Sequence, residues 1–143
     1  MALKFRQWRE AQRYRSILRN GIAVYRQKCL VNCGSRESII SGLAFRNGPT
    51  LTARDGISAA LYEVFLQDHY PKRMLRDAKI IIDIGANIGL FSYYARLHAP
   101  QSRIIAFEAD PATFSVLAKN VNALSVQCVH GAVASASCAT SQR

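Results

Sequence analysis

Five residues in the second half of the chain have the types and spacing to hold a ligand. Asp83, Gly85, Asn87 and Gly89 stand together in "IIIDIGANIG", and Glu108 follows 25 positions after Asp83. Gly85 permits a sharp turn and the close approach of a ligand, and Gly89 lets a helix start close to a sheet. Asp83, at the end of an apolar run, accepts hydrogen bonds from a cationic or hydroxyl-bearing group, directly or through water. The amides after Gly85 form a helix start that favours an anion. An acceptor beside amide donors suits a zwitterion such as an amino acid. Glu108 ends the next apolar run, where an acid accepts both hydroxyls of a ribose. A glycine turn alone is weak evidence. A glycine turn with an acid at the end of the next strand points to a nucleoside-containing cofactor.

The spacing narrows the choice of cofactor. The dinucleotide fingerprint G-x-G-x-x-G has a middle glycine that admits the pyrophosphate. Asn87 stands in that place, which argues against NAD or FAD; a nicotinamide-dependent oxidoreductase is the lesser enzyme alternative. No G-x-x-x-x-G-K-[ST] is present, so a P-loop is excluded. Asp-x-Gly-x-Asn-x-Gly with a later acid is the pattern that S-adenosylmethionine enzymes display. Each residue also has a plainer reading. The glycines can serve a tight turn, Asp83 can cap a helix, Glu108 can be a solvated loop acid, and Asn87 can stabilise the turn. Glu63 and Tyr70 are candidates for the cofactor mouth, with core and surface roles as the plainer alternative. His130, just past the third strand, reads as a surface or loop histidine, and His69 and His98 have no partner motif.

The elements that would position these residues are legible in the hydrophobic pattern. Residues 80–84 are β-branched apart from Asp83, which predicts a parallel strand buried on both faces. A helix is expected over residues 89–97 and a second buried strand over 104–107. Asp110 then caps a further helix with Pro111 at its first position and Phe114, Leu117, Ala118 and Val121 facing inward. A third strand is expected over 126–129. Strand–helix–strand–helix–strand is an α/β series, and right-handed crossovers make its sheet parallel. Upstream, Phe5, Trp8, Ala11, Tyr14, Leu18, Ile22 and Tyr25 recur at helical steps and predict a helix over residues 3–28, with Gly21 a weak point where it can break. Its apolar stripe covers the adjoining domain or, as the alternative, a partner or membrane surface. Residues 29–36 read as a loop or short strand. A hairpin is expected around Asn47-Gly48, with Asp55-Gly56 ending its second strand. A helix capped by Ser58 should follow and end near Tyr70-Pro71. The expected organisation is a basic helical arm (1–36), a hairpin and helix (37–78), the N-terminal half of a Rossmann-like domain (79–134) and an irregular tail (135–143).

The chain has 143 residues and a net charge of +10, unevenly spread. Residues 1–46 hold ten Lys or Arg against Glu10 and Glu37. The basicity therefore belongs to the N-terminal arm, which is either a solvated helix face or a surface for RNA, acidic lipid or an acidic partner. A basic interaction module is accordingly the non-enzyme alternative. Cys29-x-x-x-Cys33 has the form of half a zinc site, but Cys128 and Cys138 do not form a second close pair. No metal is expected, and the cysteines read as free thiols of a reducing compartment. No apolar run reaches the ~18 residues of a membrane helix. The Arg-rich start lacks the apolar core of a secretory signal, although an organelle transit peptide shares its amphipathic character. Cytoplasmic is the default expectation.

"IIIDIGANIGLFSYYA" followed by "RIIAFEADPATFSVLAKNV" resembles the FkbM family of S-adenosylmethionine-dependent methyltransferases. The upstream "ARDGISAALYEVFLQDHY" is similar to the segment that precedes the glycine motif there, and the resemblance covers roughly residues 51–133. It implies a class I methyltransferase fold, here a partial Rossmann-like parallel sheet of the first three strands, preceded by a basic helix and a β-hairpin. It implies S-adenosylmethionine as cofactor and methyl transfer to a hydroxyl oxygen of a small molecule or sugar. By the resemblance Asp83, Gly85, Ala86, Asn87 and Gly89 line the methionine end, Glu108 holds the ribose, and Ala109 and Asp110 lie beside the adenosine. Ala109 stands where many members have proline, a departure that leaves ribose binding intact. The full family sheet has seven strands in the order 3-2-1-4-5-7-6. The chain is therefore expected to be truncated, with an unpaired edge on its first parallel strand, no general base, and weak or no cofactor binding alone.

Overall fold

The computed structural model describes residues 2–34, 40–53, 57–67 and 69–134. The predicted tail 135–143, Cys138 and the Asp55-Gly56 turn lie outside the described residues. The chain divides into two compact units, Met1–His69 and Tyr70–Arg143.

In the first unit, the helix expected over residues 3–28 breaks beside its weak point, Gly21, into α1 (Ala2–Ile17) and α2 (Gly21–Asn32). The break falls at Leu18–Asn20, where the backbone leaves the helix to join a strand. Leu18 bridges Phe45, Arg19 N–H donates to the Ala44 carbonyl at 2.7 Å, and Arg46 N–H donates to the Ile17 carbonyl at 3.0 Å. Asn20 seals the junction by donating to Gly42 O and accepting from Ala44 N–H. Gly21 is required by packing: a Cβ there would stand 2.3 Å from the Tyr14 carbonyl oxygen. Residues 29–32, expected as loop or strand, complete α2 instead. The hairpin forms as β1 (Gly42–Ala44) and β2 (Thr50–Thr52), antiparallel, with Leu43 opposite Leu51. Ser58 does not cap the next helix, because α3 (Ile57–Leu61) begins one residue before it and runs into a π-helical turn, Tyr62–Leu66.

The expected single stripe divides. Tyr14, Leu18 and Val24 are wholly buried with Leu43, Leu51 and Leu61, whereas Phe5 and Trp8 are exposed. The Tyr14 hydroxyl donates to Ser58 O at 3.2 Å, and burial pushes it well above the ordinary tyrosine range.

In the second unit, a short helix α4 (Lys72–Arg76) precedes the α/β series. It comprises β3 (Ile80–Ile84), α5 (Leu90–His98), β4 (Arg103–Glu108), α6 (Pro111–Val121), a 3-10 turn and β5 (Val126–His130). The three strands are parallel in the order β3-β4-β5. Register aligns Asp83 with Ala106 and Ala106 with Cys128, so these side chains share one face. Both helices cover that face: Ser92 of α5 bonds Asp83, and Leu117 and Val121 of α6 pack on Ala106 and Cys128.

The opposite face departs from the expectation of a strand buried on both sides. Ile80, Ile82 and Ile84 alternate with buried Ile81 and Asp83 and are 58%, 57% and 62% exposed. The cause is topological. Successive right-handed crossovers in one direction place every connecting helix on the same side of the sheet. Among the described residues, nothing pairs with the outer edge of β3.

Candidate functional site

The eight residues expected to line the cofactor lie at the carboxyl ends of β3 and β4 and in the two turns that lead into α5 and α6, whereas Glu63 and Tyr70 lie elsewhere. The first turn is held in an unusual backbone conformation. Gly85, Asn87 and Gly89 have φ of 72°, 50° and 90°. Left-handed φ is open to glycine and tolerated by asparagine, which gives Asn87 a backbone reason for its identity. The two glycines differ in kind. A Cβ on Gly85 would meet nothing within 4 Å, so the turn faces open space there. A Cβ on Gly89 would lie 2.6 Å from Val121 Cγ1 and 2.9 Å from Leu117 Cδ1, so Gly89 admits α6 against the turn. Ala86 points into that packing and is buried. Asn120 completes the support from α6, donating from Nδ2 to the Ile88 carbonyl at 2.9 Å.

Glu108 joins the two turns. Its Oε2 accepts from Asn87 N–H at 2.9 Å and its Oε1 accepts from Asp110 N–H at 2.9 Å. Three of the amides after Gly85 are thus already engaged within the protein. Asn87 N–H is taken by Glu108, Ala86 N–H by the Phe107 carbonyl at 2.8 Å, and Gly89 N–H by the Ala86 carbonyl at 2.8 Å. A carboxylate has about four lone-pair positions, and two are used here. Glu108 therefore keeps acceptor capacity for a ribose diol without giving up its backbone bonds.

Asp83 is only 7% exposed, and its Oδ2 accepts from the wholly buried Ser92 hydroxyl at 2.6 Å. Burial raises its pKa, the Ser92 hydrogen bonds oppose that, and the nearby Glu108 charge adds to it. Asp110 caps α6 as expected, accepting from Thr113 N–H at 2.7 Å and from Thr113 Oγ1 at 2.5 Å. Ala109 is exposed between the two acids, and its carbonyl lies 3.1 Å from His130 Nε2. The His130 ring stacks on Phe114 with centroids 4.9 Å apart.

The structure thus gathers Asp83, Gly85, Ala86, Asn87, Gly89, Glu108, Ala109 and Asp110 at one edge. Their fit to S-adenosylmethionine rests on the open space over Gly85 and the spare acceptor positions of Glu108. Tyr70 has a structural role in this unit: its ring packs on Phe91 at 4.4 Å, and its carbonyl accepts from the Tyr94 hydroxyl. Glu63 is exposed on the π-helical turn of the other unit. Ser92 and Asn120 escaped the sequence reading. Ser92 carried no separable signal, whereas Asn120 is a polar residue within the inward pattern of Leu117 and Val121.

No protein-family model matches the chain. Four curated relatives do, and three of them are named methyltransferases. Methyltransferase 1 of Beauveria bassiana (strain ARSEF 2860) is 42% identical over 59 residues, 41% of this chain and 24% of the relative. Methyltransferase sdnD of Sordaria araneosa is 36% identical over 89 residues, 55% of this chain and 34% of the relative. The 31-O-demethyl-FK506 methyltransferase FkbM of Streptomyces tacrolimicus is 34% identical over 88 residues, 59% of this chain and 34% of the relative. The matched stretches thus span about a third or less of these relatives' length. A looser likeness links the chain to the crystal structure of P. horikoshii TYW2 in complex with MeSAdo, at 18% identity and a TM-score of 0.38 over 76% of this chain and 47% of that one. That score is too low to bear on fold or ligand. Over the matched stretches the chain is similar in sequence to methyltransferases, the Streptomyces FkbM enzyme among them.

Proposed function

We propose that this chain carries the cofactor-binding half of an S-adenosylmethionine-dependent methyltransferase, and that the protein methylates a hydroxyl oxygen of a small molecule or sugar. The observation that carries the reading is the Glu108 clasp. One carboxylate bonds the amides of both turns and stands across the open glycine turn from Asp83's strand end. The Streptomyces relative is named for a demethylated oxygen on its substrate, which supports an oxygen acceptor.

Bound there, the cofactor supplies a methyl group already activated on a sulfonium. What remains for the protein is to orient donor and acceptor and to take up the acceptor's proton. Glu108 would accept the ribose hydroxyls, and Asp83 would receive the amino end of the methionine part, directly or through water. Gly85 would leave room for the chain between them, with Ala86, Asn87 and Gly89 completing that wall. Ala109 and Asp110 would border the adenine.

The test is amide chemical-shift mapping of the full chain with millimolar S-adenosylhomocysteine, and separately with NAD. The expected result is movement of the Gly85–Gly89 and Glu108–Asp110 amides with the first ligand and not the second, abolished by Glu108→Ala. Movement with NAD, or movement with S-adenosylhomocysteine that Glu108→Ala leaves intact, would overturn the reading.

A further inference from the structure

The first helix has an outward face that core packing does not use. At about 100° per residue, α1 turns Tyr14 and Ala11 inward and sets Phe5, Trp8, Gln12 and Ser16 along the opposite side. Phe5 and Trp8 are 60% and 58% exposed and stack on each other with centroids 6.1 Å apart. Arginines flank this crest: Arg6, Arg9 and Arg13 on one side, Arg15 on the other, with Arg19 just beyond the helix. The helix's acid, Glu10, is already paired with Lys28. Among the described residues none of Arg6, Arg9, Arg15 and Arg19 meets a carboxylate. On the flank of Arg6, Arg9 and Arg13 lies a groove of about 530 Å³, completed by Phe5, Glu10 and Tyr62.

We propose that this face of α1 docks on an anionic phospholipid surface, with Phe5 and Trp8 in the headgroup layer and the flanking arginines on lipid phosphates. Aromatic rings on a basic helix are the side chains that settle at the boundary between headgroups and acyl chains. The charge is complementary, because Arg6, Arg9, Arg13, Arg15 and Arg19 are five of the ten cations of the first 46 residues, and of these Arg13 also donates to the Leu66 carbonyl. The shape separates this partner from RNA. A convex crest with cations on both flanks can meet a plane all at once. Single-stranded nucleic acid instead uses a basic groove whose separate aromatic faces each take a base. Here Phe5 and Trp8 lie together as one exposed pair on the crest rather than spaced along a groove.

Trp8 is the chain's one tryptophan, so its fluorescence reports on the docking face directly. The full chain is mixed with phosphatidylcholine vesicles, with vesicles containing phosphatidylserine, and with a single-stranded oligoribonucleotide. Co-sedimentation and a blue shift of Trp8 are expected with the phosphatidylserine vesicles alone. Both should be lost at about 1 M salt, where the Debye length is ~3 Å. The pair Arg6→Glu and Arg9→Glu should weaken vesicle binding by about tenfold or more. Its folding is checked by circular dichroism; should it unfold, Arg9→Gln with Arg15→Gln gives the milder version of the same test. Absence of binding to anionic vesicles, binding indifferent to the arginine substitutions, or a Trp8 response to the oligoribonucleotide alone would each overturn the proposal.

Discussion

At the residue scale, Asp83 sets stability against function. Its carboxyl is raised, chiefly by burial, so between the unfolded and folded pKa values the folded chain holds more protons than the unfolded one. Stability from this group is then greatest below the unfolded value, and it is lost as pH rises from about 4 through the folded value. Asp83→Asn should therefore be more stable than the parent at neutral pH, with the difference closing as pH falls towards about 4. Urea midpoints across that range check the sign. The same variant should bind S-adenosylhomocysteine more weakly, a trade-off common where a buried charge serves a ligand. The glycines make a second contrast. Gly89→Ala must adopt a left-handed φ and also displace Val121 and Leu117, and should cost about 2–4 kcal/mol. Gly85→Ala meets open space and should cost only the backbone term of about 1–2 kcal/mol. Denaturant titration of the two variants distinguishes them.

At the element scale, Arg96 fastens α5 to the loops around it. Its Nε donates to Leu124 O at 2.8 Å, and its Nη atoms donate to Pro100 O, Ser102 O and Ser125 O at 2.7–2.9 Å. These carbonyls lie at the start of β4 and between α6 and β5, so one side chain sets where both strands begin. Arg96→Ala leaves several partly buried carbonyls without a donor and should cost about 2–4 kcal/mol, read from thermal or urea unfolding. Lysine cannot reproduce the fork of donors and should recover only part of the loss. The period of the sequence shows that α5 exists, but not that Arg96 is its anchor. Its acceptors are up to 29 positions away and meet only once the crossover is closed. The α1–α2 break illustrates the same limit. Gly21 marks a weak point, but the apolar steps run through it, and only the structure shows that pairing beside β1 interrupts the helix.

At the scale of the whole molecule, charge and apolar surface are segregated. The arginine-flanked crest belongs to the first unit, and the bare isoleucine face belongs to the second. Ile80, Ile82 and Ile84 share that face with Ile105, Phe107 and Val129 by register. An apolar face beside an unpaired strand edge is a template for association. The chain should self-associate with rising concentration, and Ile82→Lys, at the centre of the strand, should shift it towards the 15.9 kDa monomer in sedimentation velocity. Unchanged association would show that another surface is responsible.

The sequence by itself determined the α/β series, the Asp110–Pro111 helix start, the hairpin at Asn47-Gly48 and the eight residues grouped at the strand ends. Each is encoded locally, in a period, a cap, a turn or a spacing within one strand–turn–helix unit. Only the tertiary structure decided that Glu108 clasps the amides of Asn87 and Asp110, that Ser92 holds Asp83, and that Gly89 yields to α6. The structure alone also showed that Phe5 and Trp8 leave the stripe that Tyr14 and Leu18 bury. The reason is physical. Those outcomes depend on which faces meet after crossovers close, and a pairing between distant segments leaves no period in either one.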